Sequence, residues 1–400
     1  MPAADDRDVF ILDGCRTAIG TFGGSLRDLS PSETGAAVVR EAMRRSGVAP
    51  GQVEDVIMGC VGQVAEAAYL ARLCALKAGL PQDSNAYTVN RLCSSGLQSI
   101  VSGSQAIRAG DADIVVAGGA ECMSGMPFYL RQARWGQMRL GDGKVEDGLL
   151  TMLSDPFGHG HMGVTAEAVA EKYGIPREQQ DRFALESQRR AVAAIDAGAF
   201  SDEILPLQVP GKRRGETETF AVDEHPRRDT NLEALARLRP TFKAGGTVTA
   251  GNSSGINDGA AAVVLASGKA VKANGWKPRM RYAGFGMAGI DPLYMGYAPT
   301  FAIPKAMKRT GLRLEDMDVV ELNEAFASQA VAVIRDAGLD PARTNPNGGA
   351  IALGHPVGAT ACMLVVKAMY HLAHTGGRRA LVTMCIGGGQ GLAAVFEAAA

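Results

Sequence analysis

The sequence predicts an α/β protein made of two similar halves, with a different segment inserted between them. Apolar, strand-like runs alternate with amphipathic, helix-like stretches through most of the 400 residues, which is typical of sheets covered by helices. Several features of the N-terminal part recur in the same order near the C-terminus. A chain of this length exceeds one ordinary core, so we expect two to three domains.

The repeat begins with two helix ends, each closed by a glycine. Residues 40–47 read REAMRRSG and residues 304–311 read PKAMKRTG, and a glycine in this place is typical of a helix C-terminus. An acidic turn and an apolar strand follow both, at 53–60 and 317–323. The two stretches therefore predict the same helix–strand unit twice.

The spacing that follows is also matched. Cys93 lies 33 residues after Cys60, and His355 lies 32 residues after Asn323; a helix and then an apolar strand follow each. These strands lie at 112–119 and 379–388. If a pseudo-twofold axis relates the halves, equivalent loops meet at the centre. We therefore expect Cys93 and His355 to converge.

Cys93 is the candidate nucleophile. A strand is predicted to end at Val89, and an apolar periodic stretch from Leu97 predicts a helix. The thiol then lies near a helix N-terminus, where free N–H groups and the helix dipole favour the thiolate. The alternative is a small buried hydrophobic residue, which is the commoner role of an intracellular cysteine.

Composition excludes several classes of function. A net charge of −1 indicates no nucleic-acid or membrane surface, and no apolar run is long enough to span a bilayer. The polar, acidic N-terminus does not resemble a secretory signal. Seven irregularly spaced cysteines favour reduced thiols in the cytosol. His159 and His161 lack a third ligand nearby, so we expect no metal.

The segment 122–252 differs in composition from both halves. It contains predicted helices at 165–173 and 176–197 and two basic loops at 211–215 and 225–228. Basic runs of this kind are most often a solvated face. The alternative is a binding surface for a phosphorylated ligand.

The glycine-rich run 387–391 is not a dinucleotide loop. An apolar strand follows it, whereas a dinucleotide site requires a helix there and an acidic residue about 20 positions later. We predict a tight hairpin instead. Its free N–H groups would lie beside Cys385 and are suited to an oxyanion hole.

Four blocks in this order resemble the thiolase family, the acetyl-CoA C-acyltransferases. They are NRLCSSG at 90–96, GTVTAGNSSGINDG at 246–259, NEAFA at 323–327, and GHPVG at 354–358 followed by CIGGGQG at 385–391. Residues 16–24 also look like the family's first strand and turn. The resemblance covers essentially the whole chain.

The resemblance implies a fold and its division. The fold would consist of duplicated βαβαβαββ halves in a five-layered α-β-α-β-α core with an inserted loop domain. Residues 1–121 with 253–278 would form the N-terminal half, and 279–400 the C-terminal half. Residues 122–252 would form the loop domain, for CoA binding and oligomerisation.

The resemblance also implies chemistry, namely reversible thiolytic cleavage of 3-ketoacyl-CoA and the reverse Claisen condensation. Cys93 would carry the acyl group as a thioester, and His355 would accept its proton. Cys385 would be the second acid/base, acting on the α-carbon of acetyl-CoA. Asn323 would hold a water that, with His355, stabilises the enolate. The N–H groups of Cys93 and Gly387 would stabilise the tetrahedral intermediate.

Coenzyme A would be a co-substrate, with no permanently bound cofactor. The partners would be CoA, acetyl-CoA and acyl-CoA in the cytoplasm. The family's assembly would be a homotetramer, a dimer pairing the core sheets and a second contact around residues 131–140. The positions matching the family's CoA contacts are Leu153, His161, Met162, Arg227, Ala250 and Ser254.

Four positions depart from the family pattern: Ser94, Ala120, Ala168 and Ala361. None removes a catalytic group, although Ser94 and Ala361 flank the centre and bear on rate and acyl-chain preference. Two alternatives remain. A related condensing enzyme of the same fold would lack the second cysteine, which Cys385 argues against. The other is a thiolase-like acyl-CoA or lipid-binding protein without turnover.

Overall fold

The computed structural model describes residues 5–138, 140–211, 213 and 215–399. The strands are β1 Val9–Thr17, β2 Gly20–Thr21, β3 Asp55–Gly59, β4 Asn85–Val89, β5 Ile114–Cys122, β6 Phe128–Tyr129, β7 Glu146–Asp147, β8 Ser154–Asp155, β9 Gly160–His161, β10 Ile204–Leu205, β11 Leu207–Pro210, β12 Thr217–Phe220, β13 Asn257–Ser267, β14 Met280–Gly289, β15 Val319–Leu322, β16 Arg379–Ile386 and β17 Gln390–Ala398.

The α-helices are α1 Pro31–Ser46, α2 Leu70–Ala78, α3 Ser95–Ala109, α4 Gly148–Met152, α5 Met162–Tyr173, α6 Arg177–Asp196, α7 Leu232–Ala236, α8 Gly268–Asn274, α9 Pro299–Thr310, α10 Ala327–Ala337, α11 Ala350–Leu353 and α12 Val357–Thr375.

A mixed sheet runs through both halves in the order β15-β16-β17-β14-β1-β13-β5-β3-β4. Strand β3 pairs in parallel with β4 and β5, and β15 pairs in parallel with β16. The halves join where β1 pairs with β14 in an antiparallel register, Phe10 opposite Arg281. The predicted α/β class is confirmed.

The repeat is visible in the topology. The first half has the order β4-β3-β5-β13-β1 and the second has β15-β16-β17-β14, in which a single parallel bridge between Val320 and Thr344 takes the place of β4. Helices α1 and α9 both end at a left-handed glycine, Gly47 with φ 66° and Gly311 with φ 70°. The two predicted helix–strand units therefore occupy equivalent places.

The halves stack into five layers around two central helices. Helices α3 and α12 pack against each other and between the two parts of the sheet, with Leu97, Ile100, Val365 and Val366 in the same apolar core. Helices α1 and α2 cover the outer face of the first half. Helices α9 and α10 cover that of the second. The order α-β-α-β-α is the one that the family resemblance implies.

The segment between the halves carries the short strands β6–β12 and helices α4–α7. Buried Arg16 of β1 ties it to the core, because its Nε lies 2.7 Å from Glu203 and its Nη1 lies 2.8 Å from Asp223. Helices α5 and α6 pack against α10. In the described part of the chain, none of the helices combines the length and apolarity needed to cross a membrane.

Candidate active site

A cavity of about 390 Å³ opens where the N-termini of α3 and α12 meet the turn between β16 and β17. Cys93, His355 and Cys385 all line it, so the predicted convergence of the two half-repeats is what the fold produces. The other predicted contacts that line it are Gly387, Leu153, His161, Met162, Arg227, Ala250 and Ser254. Asn323 lies behind His355 and completes the predicted set.

The turn that carries Cys93 is held by its own neighbours in sequence. Leu92 adopts a left-handed φ of 46°, a conformation that costs a non-glycine residue about 1–2 kcal/mol. The Asn90 Oδ1 accepts a hydrogen bond from the Leu92 N–H at 2.9 Å. The Ser95 hydroxyl donates to the Leu92 carbonyl at 2.7 Å and accepts from the Arg91 N–H. Cys93 therefore lies two residues before α3, as predicted.

Burial controls the ionisation of Cys93. It raises the pKa of the thiol to about 11, while the N–H groups of Gly387 and of Cys93 itself oppose the shift by hydrogen bonding to the sulfur. The sequence-based expectation of a thiolate at the helix terminus is therefore wrong, because desolvation of the sulfur outweighs the effect of the helix terminus. A thiol in this state needs a base.

His355 is oriented to be that base. Its Nδ1 lies 2.7 Å from the Thr360 Oγ1, and the Thr360 hydroxyl donates its only proton to the Pro356 carbonyl at 2.9 Å. The oxygen must then accept from Nδ1–H, which leaves Nε2 unprotonated. Burial lowers the pKa of His355 to about 4, so the ring is neutral at physiological pH.

Side chains from the other half hold the loop that carries His355. The Asn257 Oδ1 accepts from the His355 N–H at 2.9 Å, and the Asn257 amide donates to the Gly20 carbonyl. The Glu121 carboxylate accepts from the Gly358 N–H at 2.8 Å. Sequence reasoning missed these two residues, although Asn257 lies inside the quoted block 246–259.

Asn323 places an amide beside the base. Its Nδ2 lies 3.4 Å from the His355 Nε2, and the residue is fully buried. The Asn323 Oδ1 has no hydrogen-bond partner within the described residues. An unpaired buried acceptor costs about 1–3 kcal/mol, so this atom is suited to hold a small polar group such as a water.

Cys385 faces the same space from the second half. It is the penultimate residue of β16, which pairs with β17 as the predicted hairpin. Gly388 and Gly389 turn with φ of 78° and 79°. Burial raises the pKa of Cys385, and the neighbouring Cys93 raises it further. Both sulfur atoms are therefore thiols in the ligand-free cavity.

The entrance is mainly apolar and includes residues for which the sequence contained no motif. The His161 ring stacks on Phe242 with centroids 4.7 Å apart. Its Nδ1 accepts from the Gly163 N–H at 3.0 Å, which leaves Nε2–H free to donate. Further lining residues that were not anticipated are Val61, Met123, Met152, His225, Met295 and Phe326.

The two basic loops behave differently. Arg227 of the loop 225–228 lines the cavity, as the phosphate-ligand interpretation requires. The loop 211–215 lies in sequence between the paired strands β11 and β12. Its residues Lys212 and Arg214 lie outside the described residues, and Arg213 lies 3.8 Å from Glu216. No cluster of three His, Cys, Asp or Glu suited to a metal occurs in the part that the structure describes.

Two family models match the chain. The thiolase N-terminal domain matches residues 9–269 and the thiolase C-terminal domain matches residues 276–398. The β-ketothiolase BktB of Cupriavidus necator is 52% identical over 393 residues, which is 98% of this chain and 99% of that protein. The bovine mitochondrial 3-ketoacyl-CoA thiolase is 46% identical over 392 residues, 98% of each.

Solved structures of thiolases superpose closely on this chain. The acetyl-CoA acetyltransferase of Bacillus anthracis superposes with a TM-score of 0.95 at 43% identity, covering 98% of both chains. The human mitochondrial 3-ketoacyl-CoA thiolase in complex with CoA gives a TM-score of 0.94 at 44% identity, again over 98% of both. The chain belongs to the thiolase family of acyltransferases.

Proposed function

We propose that the chain cleaves 3-ketoacyl-CoA with CoA, and runs the reverse condensation, through an acyl thioester on Cys93. The observation that carries this is the meeting of a thiol, an unprotonated imidazole nitrogen and a second thiol around one cavity. An acyl transfer that also makes or breaks a carbon–carbon bond needs a nucleophile, a base and a second acid/base. Cys93, His355 and Cys385 supply one each.

The first half-reaction begins when the Cys93 thiol passes its proton to the His355 Nε2. The sulfur attacks the 3-keto carbon, and the N–H groups of Cys93 and Gly387 stabilise the oxyanion. The bond between C2 and C3 then breaks, and its electron pair forms the enolate of acetyl-CoA. His355 and a water held by Asn323 stabilise the enolate oxygen, while the Cys385 thiol protonates C2.

The second half-reaction restores every proton. Free CoA gives its thiol proton to the Cys385 thiolate and attacks the thioester carbonyl. The same two N–H groups stabilise the new oxyanion, each worth about 10²–10³ in rate. Cys93 leaves as a thiolate and recovers its proton from His355. The same groups serve condensation in reverse, and that direction is uphill for two molecules of acetyl-CoA.

Coenzyme A would enter along the inserted segment. His161 offers Nε2–H to a carbonyl of the pantetheine, and Leu153, Met162, Ala250 and Ser254 form the wall beside it. Arg227 at the rim is suited to the phosphates or the adenosine end. That the human relative has been solved with CoA supports this placement.

The division of the chain follows the same proposal. Residues 1–121 with 253–278 form one half, 279–400 the other, and 122–252 the CoA-binding loop domain. The exposed strand β4 would pair the core sheets in a dimer. Exposed Trp135 and Leu140 support a tetramer contact around 131–140, of which Arg139 lies outside the described residues. We place the enzyme in the cytoplasm because the cysteines are free thiols.

Trapping of the thioester tests the function. After incubation with labelled acetyl-CoA, mass spectrometry of peptides should find one acetyl group on Cys93. It should be absent from Cys93→Ala, which keeps the cavity wall but has no sulfur. A protein that binds acetyl-CoA without forming this adduct would instead be a binding protein without turnover.

The Cys385→Ala variant separates the two half-reactions. It should still acetylate Cys93, because His355 and the N–H groups are intact, yet lose carbon–carbon bond formation by about 10²–10⁴-fold. Condensation is measured as acetoacetyl-CoA formed per active site. Full condensation activity in this variant would contradict the role of Cys385.

A further inference from the structure

A buried carboxylate outside the catalytic set joins the two halves beside the cavity. Glu121 is the penultimate residue of β5 and only 2% exposed. Its Oε2 accepts from the N–H groups of Val61 and Gly358 at 2.9 and 2.8 Å. Its Oε1 accepts from the Gly62 N–H at 2.9 Å and contacts the Cys60 Sγ at 3.5 Å.

The partners of this carboxylate select its charged form. All four are donors, so a protonated Glu121 would have to turn its O–H toward other hydrogens. Burial raises the pKa of Glu121, and the three backbone N–H groups oppose that rise. No ion pair links it to a lysine, arginine or histidine of the described residues. The anion is instead held by N–H groups, including one in the first turn of α12.

Two glycines make room for this contact. A Cβ on Gly358 would lie 2.5 Å from the Glu121 Oε2, and one on Gly62 would lie 2.9 Å from its Oε1. The residues next to these glycines, Val61 and Val357, line the cavity and share an apolar cluster with Cys93. The carboxylate therefore fixes two cavity walls, one from each half, at a set separation.

We propose that Glu121 is a positioning residue for acyl transfer, which clamps the loop after β3 to the start of α12 and sets a fixed negative charge behind Cys93. The inference rests on the proposed function. The clamp holds His355 at a constant distance from the sulfur. The charge disfavours a free thiolate, so the proton leaves Cys93 only when His355 takes it.

The cavity makes this charge measurable. The titratable groups that share it with Cys93 are His161, His225, Arg227, His355 and Cys385; Cys60 contacts Glu121 from β3's end. Glu121 lies behind this lining, with its partner Val61 in the cavity wall, and it raises the pKa of Cys93 in addition to the effect of burial. Alkylation of Cys93 by iodoacetamide, followed against pH, reports the thiolate without requiring acyl transfer.

Two variants separate charge from position. Glu121→Gln keeps the size and removes the charge, and it also turns one NH2 group toward N–H donors. The alkylation midpoint should fall by about one pH unit. Gly358→Ala keeps the charge and pushes both the carboxylate and the Cys60 backbone away from α12. Its midpoint should stay in place, while acetylation of Cys93 slows about 10- to 100-fold. Glu203→Gln removes a buried carboxylate that pairs with Arg16 instead of with the loops beside Cys93; it should change neither readout.

The outcomes are distinct. An unchanged midpoint in Glu121→Gln, or the same shift in Glu203→Gln, overturns the electrostatic part. Unchanged acetylation in Gly358→Ala overturns the clamp, and this variant decides alone if Glu121→Gln does not fold. Failure of the wild-type protein to acetylate Cys93 would refute the proposed function instead, because the alkylation midpoints would still test Glu121.

Discussion

The two central helices are repeats of each other, yet their N-termini are held by different means. The turn before α3, which carries Cys93, is fixed by Asn90 and Ser95, both within three residues of it. The loop before α12, which carries His355, is fixed by Asn257, 98 residues away, and by Glu121, 237 residues from its partner Gly358. The turn of the nucleophile is thus positioned locally, and the backbone of the loop that carries the base is positioned by the opposite half.

This difference has a physical reason. A nucleophile on a strained turn needs neighbours that resist relaxation of Leu92, and short-range hydrogen bonds do so at little entropic cost. The base, in contrast, must lie at a fixed distance from the Cys93 sulfur, which belongs to the other half. Only contacts that cross between the halves can set that distance. Four predictions probe the contrast.

Removing the base should have the largest effect. In His355→Ala the Cys93 proton has no acceptor, and the pKa of Cys93, about 11, leaves little thiolate at neutral pH. Acetylation of Cys93 should fall about 10²–10⁴-fold, measured by rapid quench and intact mass. A loss below tenfold would mean that the α3 terminus activates the thiol without the other half.

The pH dependence of stability should reveal the buried imidazole. Burial lowers the pKa of His355 to about 4 in the folded protein, against 6.5 for an exposed histidine. Below pH 6.5 His355 is protonated in the unfolded chain but stays neutral in the folded protein. Its contribution to the free energy of unfolding is therefore complete above pH 6.5 and is lost as the pH falls toward 4. From pH 7 to 4, wild type should lose about 3 kcal/mol more than His355→Asn in denaturant unfolding. If the free energy of unfolding fell equally with pH in wild type and His355→Asn, the assignment of a buried neutral His355 would be contradicted.

Two side-chain truncations compare the two loops directly. Asn257→Ala leaves the His355 N–H and the Gly20 carbonyl unpaired, so it should cost about 1–3 kcal/mol of unfolding free energy and slow acetylation. Ser95→Ala removes the hydroxyl that bonds the Leu92 carbonyl and the Arg91 N–H and should cost about 1 kcal/mol. Denaturant melts of both variants measure the difference. If Ser95→Ala slowed acetylation of Cys93 more than Asn257→Ala did, the local turn would matter more for acyl transfer than the contact between the halves.

The smallest effect concerns Ser94, next to the nucleophile. Its hydroxyl is fully buried and has no hydrogen-bond partner within the described residues. Ser94→Ala should therefore raise the unfolding free energy by about 1 kcal/mol, seen as a higher midpoint in urea. A decrease would show that the hydroxyl is paired, through a bound water, in solution.

Much of this site is readable from local sequence. Cys93 near a helix start, the β16–β17 hairpin and the matched spacing of the halves all follow from short-range patterns, and these features suffice to predict the convergence of Cys93 and His355. The wall residues Phe242 and Met295 carry no such pattern. They reach the cavity only because distant loops fold over it.

The ionisation of the site depended on tertiary packing. Helix position alone predicts a thiolate at Cys93, but the folded cavity desolvates the sulfur and keeps it a thiol. The tautomer of His355 follows from one hydroxyl, that of Thr360. Local sequence specifies which groups are present and on which turns, because turns and helix starts are short-range structures. Burial and cross-half contacts set their charges and separations, since those depend on everything packed around them.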